Sequence, residues 1–195
     1  MDSDLAESVA ALKEIFAKRN LPVRFGKADP KAVEEMRKAY RIPARYRSFL
    51  LAADPTDVET VTPVERVRLF PCQSLASEQT LGGTQANEIP QWRKTWVIIA
   101  RSALLGDPYF LDIGKLDAEG DCPVYTCMLG TESIKPELCA SSFPQFLRIL
   151  ATSMDVATGF GDASLDDDDE AIFREALAPK IKTIDSAALR AGHWT

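Results

Sequence analysis

Histidine is nearly absent: His193 is the single one in 195 residues. Ser and Cys nucleophiles usually need a positioned base, and a histidine two residues from the final position, where chains tend to fray, argues against a triad. Glycine-rich phosphate loops are missing as well. Gly82-Gly83 lacks the Lys-Ser/Thr ending and the strand-to-helix setting that would let backbone amides cradle phosphates. No cofactor is therefore expected. No stretch approaches the ~20 apolar residues of a membrane span. Met1-Asp2-Ser3-Asp4-Leu5 puts acids where a signal peptide carries its basic region, so the expectation is a cytoplasmic protein with no membrane partner.

Basic charge is in deficit. Lys and Arg number 23 against 29 Asp and Glu, for a net charge of −6. Direct nucleic-acid binding draws its affinity from clustered Lys and Arg, and this balance argues against it. An acidic surface fits a basic protein partner, and serves solubility equally well. Cysteine is sparse: Cys72, Cys122, Cys127 and Cys139, with no secretory signal, read as free packing thiols in a reducing compartment. Cys122 and Cys127 have a spacing that some metal sites tolerate, but no nearby histidine completes a zinc set. The run Asp166-Asp167-Asp168-Asp169-Glu170 lacks the alternating spacing and glycine of a calcium loop, so it reads as a solvated loop leading into a helix. No metal is expected.

What is present is an ordinary globular composition, 46% hydrophobic and 27% charged. A chain of this length buries about 70% of its unfolded surface and needs no staple. Leu5, Val9, Leu12 and Phe16 recur at helical spacing after Ser3 or Asp4 as cap. Asp29-Pro30 opens a second helix with Val33, Met36 and Tyr40 as its stripe, and Pro43 a third carrying Tyr46, Phe49 and Leu50 until Asp54-Pro55. The period then changes. Val58 to Val61, Arg66 to Phe70, Trp96 to Ala100, Tyr109 to Ile113 and Val124 to Leu129 read as strands, with Trp96 to Ala100 central because it is continuously apolar. Ser141 or Ser142 caps a helix with Phe143, Phe146, Leu147 and Leu150 on one face. A modest pattern at Ile172, Phe173 and Leu177 stops at Pro179, and a short helix runs from Asp185 to Gly192. Helices, then strands, then helices predict an α+β fold with a mainly antiparallel central sheet between N-terminal and C-terminal helices.

Four segments carry a family likeness. Ile42-Pro43-Ala44-Arg45-Tyr46-Arg47-Ser48-Phe49-Leu50 resembles the Leu-Pro-x-x-Tyr-x-x-Phe-Leu helix of the SUKH superfamily, which includes bacterial immunity proteins and the fungal cell-wall regulators related to Knr. Gly106-Asp107-Pro108-Tyr109-Phe110-Leu111-Asp112, Cys122-Pro123-Val124-Tyr125 and Ala140-Ser141-Ser142-Phe143-Pro144-Gln145-Phe146-Leu147 follow in that superfamily's order. The likeness spans about residues 30–155. It departs where many relatives place Asn-Gly and this chain has Ala53-Asp54-Pro55. The expected organisation is a SUKH-like domain over residues 1–160, with residues 161–195 an acidic loop and short helices packed on it. A chain ending at residue 160 is expected to fold.

The resemblance implies a binding scaffold rather than an enzyme: an immunity protein that neutralises a cognate toxin, such as a nuclease or deaminase, by direct binding. A regulatory interaction module without a toxin, or a small hydrolase or ligand-binding protein, are the alternatives. For a partner with a basic cleft, the candidate contacts are Asp107, Asp112 and Asp121, which flank predicted turns, and Asp54 as a further loop acid.

Overall fold

The computed structural model describes residues 1–131, 133–160 and 167–194, with side chains from 169 onward in the last stretch. Helix α1 covers Ser3–Lys18, and its cap is Asp2, whose carboxylate accepts from the Leu5 N–H at 2.9 Å; the sequence points one or two residues later. Helix α2 (Pro30–Tyr40) starts at the expected Asp29 cap with proline in its first turn, and α3 (Ala44–Ala53) follows Pro43. Between and after them, β1 (Arg24–Gly26) and β2 (Asp54–Thr56) pair antiparallel, so Asp54-Pro55 both ends a helix and begins a strand.

The main sheet is fully antiparallel, in the order β3-β6-β7-β8-β9. Its members are β3 (Val67–Leu69), β6 (Trp96–Ser102), β7 (Pro108–Asp112), β8 (Val124–Thr126) and β9 (Glu137–Ala140). The expected strand at Val58 to Val61 is reduced to one bridge, Glu59 opposite Arg68, flanked by Leu69 N–H to Val58 O and Thr60 N–H to Val67 O, both 2.9 Å. A small hairpin, β4 (Thr80–Leu81) and β5 (Thr84–Gln85), turns at Gly82-Gly83, both with positive φ. Strand β6 is buried along nearly its whole length, as its apolar run requires.

Both faces of the sheet are covered. Tyr109 stacks toward Phe146 on one side, at 5.6 Å between ring centroids. The next residue, Phe110, points to the other side and meets Trp92 at 4.9 Å and Trp96 at 4.8 Å. Helix α4 (Phe143–Ala157), capped by Ser142 as one of the two expected serines, brings Phe143 into edge contact with Tyr46 and Phe49, each at 5.0 Å. The segment that covers the Phe110 face is held by Gln79. Past the end of β3, the buried Gln79 amide accepts from Ile98 N–H at 2.9 Å and donates to Ile98 O at 2.8 Å, acting as a one-residue strand extension.

Helix α5 runs Asp167–Ile184, and α6 covers Ser186–Ala191. The sequence expectation that Pro179 stops α5 is wrong: the helix continues through it. Proline removes one hydrogen bond at a cost of about 3 kcal/mol. Phe173, Leu177 and Ile181, four residues apart, all bury against the core, and their burial outweighs that loss. Asp167 to Glu170 lie in the first turns of α5 instead of a loop, and Asp166 lies outside the described residues. Among the described residues, no helix is long and apolar enough to cross a membrane.

Candidate protein-binding face

The structure does not bring the four candidate acids together on a rim. Asp121 is 1% exposed and Asp112 4%. Asp121 accepts from Cys122 N–H at 2.8 Å, Phe143 N–H at 3.2 Å and Arg45 Nη1 at 3.1 Å, tying the start of α3 to the entry of β8 and the start of α4. Burial pushes its carboxyl above the usual range, against the pull of these donors. Gly120, just before it, needs its positive φ of 73° and its bare Cα: an added Cβ would sit 2.9 Å from Ala44 Cβ. Asp112 accepts from Gly114 N–H at 3.1 Å. Asp54 and Asp107 are half-buried, and accept from Cys72 N–H and Leu129 N–H respectively, each at 2.8 Å. All four are engaged in holding backbone, and Asp107 also lines an open cleft.

That cleft, of about 210 Å³, lies between the β6–β7 hairpin and the C-terminal helices, with Thr62, Glu65, Asp107, Arg174 and His193 among its lining residues. At its floor, Tyr109 Oη donates to Glu65 Oε2 at 3.2 Å and lies 3.1 Å from His193 Nε2. Glu65 also accepts from Ser102 Oγ at 2.9 Å and from Arg66 N–H at 2.7 Å. Burial raises the Glu65 carboxyl nonetheless, and raises the Tyr109 hydroxyl well above its ordinary value. His193 does not fray: burial, with the Arg174 guanidinium beside it, lowers its pKa to about 4 and keeps it neutral. Arg174 Nη1 reaches the His193 carbonyl at 3.4 Å while its Nε pairs with Glu170 at 2.8 Å.

At the cysteines, burial opposes reactivity, because the thiolate is the nucleophile. The four cysteines are buried free thiols, with Cys72 raised to about 11 and Cys127 to about 12 by burial first and nearby carboxylates second. Among the described residues, no cluster of three or more metal-ligating side chains occurs.

The mouth of the cleft is apolar and exposed. The β6–β7 turn, closed by Gly106 at φ 80° with Gly106 N–H bonded to Ser102 O at 3.0 Å, carries Leu104 and Leu105, which are 53% and 72% exposed. Met128, 63% exposed, stands after β8, and Glu137, also exposed, opens β9. Sequence reasoning passed over Glu65, Leu104, Leu105, Met128 and Glu137. A signal for the leucines was legible: two large apolar residues just before a turn glycine sit where turns are normally polar.

The architecture and this hairpin fall within a matched family. The model of the SMI1 / KNR4 family (SUKH-1) matches residues 27–149, more than half of the chain. The chain belongs to this family. No curated protein matches it significantly. The SUKH-1 match supplies the sheet, Glu65, the Leu104-Leu105 turn, Met128 and Glu137; Phe173, Arg174, Leu177 and His193, which build the opposite wall of the cleft, lie outside it. The SUKH-1 core and the C-terminal helices together therefore make this face.

Proposed function

We propose that this SUKH-1 domain is an immunity protein that acts in the cytosol by binding and neutralising a cognate toxin, with the mouth of the Glu65 cleft as the contact. The observation that carries the reading is the exposed Leu105 and Met128 at the mouth of a cleft that holds Glu65, Asp107 and Glu137, with the exposed Leu104 beside Leu105 on the same turn. An apolar mouth around acceptors fits a basic side chain of a nuclease or deaminase surface: desolvated apolar contacts supply affinity and rim charge speeds encounter. The half-buried Asp54 and the buried Asp112 and Asp121 act by holding the scaffold.

The test is co-expression with a toxin candidate encoded beside this chain, scored for growth. Leu105→Asp is expected to abolish rescue while the purified variant keeps its wild-type melting temperature, since the residue is mostly solvated. Glu137→Lys is expected mainly to slow association and reduce its salt dependence. Rescue undiminished by Leu105→Asp would place the contact elsewhere. Failure of rescue with every neighbouring candidate, together with no complex in solution, would favour a regulatory interaction module.

A further inference from the structure

A second cavity, of about 580 Å³, lies at the end of α2, beside the turn after β5 and the start of β6, and it shares no lining residue with the Glu65 cleft. Its charge is opposite to that of the whole chain. Arg41, Arg93 and Lys94 line it, and no Asp or Glu does, although the chain carries a net charge of −6. All three cations are exposed, and none of them makes an ion pair in the fold among the described residues. Its wall is aromatic: Trp92 and Trp96 meet edge to face at 5.2 Å, and the Arg93 guanidinium lies 5.2 Å over the Trp96 ring.

The two indoles of this wall differ in their hydrogen bonding. Trp96 is 5% exposed and its indole N–H has no hydrogen-bond partner, whereas the neighbouring Trp92 N–H donates to Trp96 O at 3.2 Å. The Trp96 Nε1 atom is itself closed off from solvent, so the cavity meets the ring rather than the donor. Arg41 also holds a left-handed backbone at φ 55°, which is unfavourable for a side chain of its size. That conformation closes α2 through Arg41 N–H to Arg37 O at 3.0 Å.

We propose that this cavity binds a carboxylate ligand, its oxygens held by Arg41, Arg93 and Lys94, with its carbon skeleton against the two indoles. A bidentate guanidinium pairs well with a carboxylate, and the liners Gln85 and Asn87 offer neutral amides for a backbone or second polar group. The carboxylate comes either from a small free dicarboxylate or from a glutamate side chain on a protein segment. Both present the same chemistry.

The intact chain is titrated by calorimetry and tryptophan fluorescence with glutarate, hexaglutamate peptide, hexaglutamine peptide and inorganic phosphate. Binding of glutarate and hexaglutamate alike identifies a small-ligand site, and binding of hexaglutamate alone identifies a peptide segment; either supports the proposal. Paired Arg93→Gln and Lys94→Gln substitutions, both on exposed side chains, are expected to weaken binding about tenfold or more without changing the melting temperature. Equal affinity for hexaglutamate and hexaglutamine, equal affinity for phosphate and glutarate, or carboxylate binding unchanged in the Arg93/Lys94 variant would each overturn it. So would the absence of binding by all four probes.

Discussion

At the scale of single residues, His193 and Asp121 show how burial decides what a titratable group does. Burial first, and Arg174 second, take His193 from 6.5 to about 4, so the unfolded chain binds a proton at mildly acidic pH that the folded chain refuses. Its contribution is fully present above the unfolded value of 6.5 and is lost as pH falls toward about 4, on the order of 2–3 kcal/mol. Glu65 has the opposite sign: its raised carboxyl favours the fold at low pH and loses that advantage as pH rises through the folded value. Denaturant melts of the wild type and His193→Asn, from pH 7 down to pH 4, separate the two. The expectation is a shallower loss in the variant, and parallel curves would mean that His193 is protonated in the fold. Asp121 is tested by Asp121→Ala. It removes a 1%-exposed partner of Arg45 and the carboxylate that accepts from two backbone N–H groups, with an expected loss of about 3–5 kcal/mol by urea denaturation.

At the scale of elements, local chemistry was readable wherever one residue settles the outcome. Asp29-Pro30 starts α2, Ser142 starts α4, Gly106 makes the β6–β7 turn, and Asp185 and Gly192 bound α6. What escaped depends on partners far along the chain. Strand β1 contains a glycine and β2 a proline, residues that strands disfavour, and they exist because each pairs with a segment about thirty residues away. Strand β9 offers Glu137-Leu138-Cys139-Ala140, with no β-branched residue to announce it. The scaffold contacts of Asp54 and Asp121 were hidden for the same reason: the amides that hold them, Cys72 N–H and Phe143 N–H, are 18 and 22 positions away. Nor can the sequence around Pro179 reveal that Phe173, Leu177 and Ile181 find a core to bury in. That packing reverses the expectation for a chain ending at residue 160. Loss of Phe173, Leu177, Ile181 and Trp194 removes roughly 6–8 kcal/mol of apolar burial, within the whole stability of an ordinary domain. The shortened chain is expected to be insoluble or to melt without cooperativity, and a sharp calorimetric transition would show the SUKH-1 span to be sufficient alone.

At the scale of the whole molecule, the C-terminal helices close the sheet as well as the core. Asp185, itself buried, takes the Ser141 N–H and hydroxyl and caps α6 through Ala187 and Ala188 N–H. Trp194 Nε1 donates to Cys139 O at 2.8 Å, and α6 packs along β9. At the opposite end of the sheet, the Val58–Thr60 stretch bonds to β3. Cys139 O on β9 and the outer backbone groups of Val67 and Leu69 on β3 are thus taken by the chain itself. Edges occupied in this way make the main sheet a poorer template for edge-to-edge pairing. The Leu104-Leu105 turn, outside that ladder, is free to change its side chains without risk to strand register.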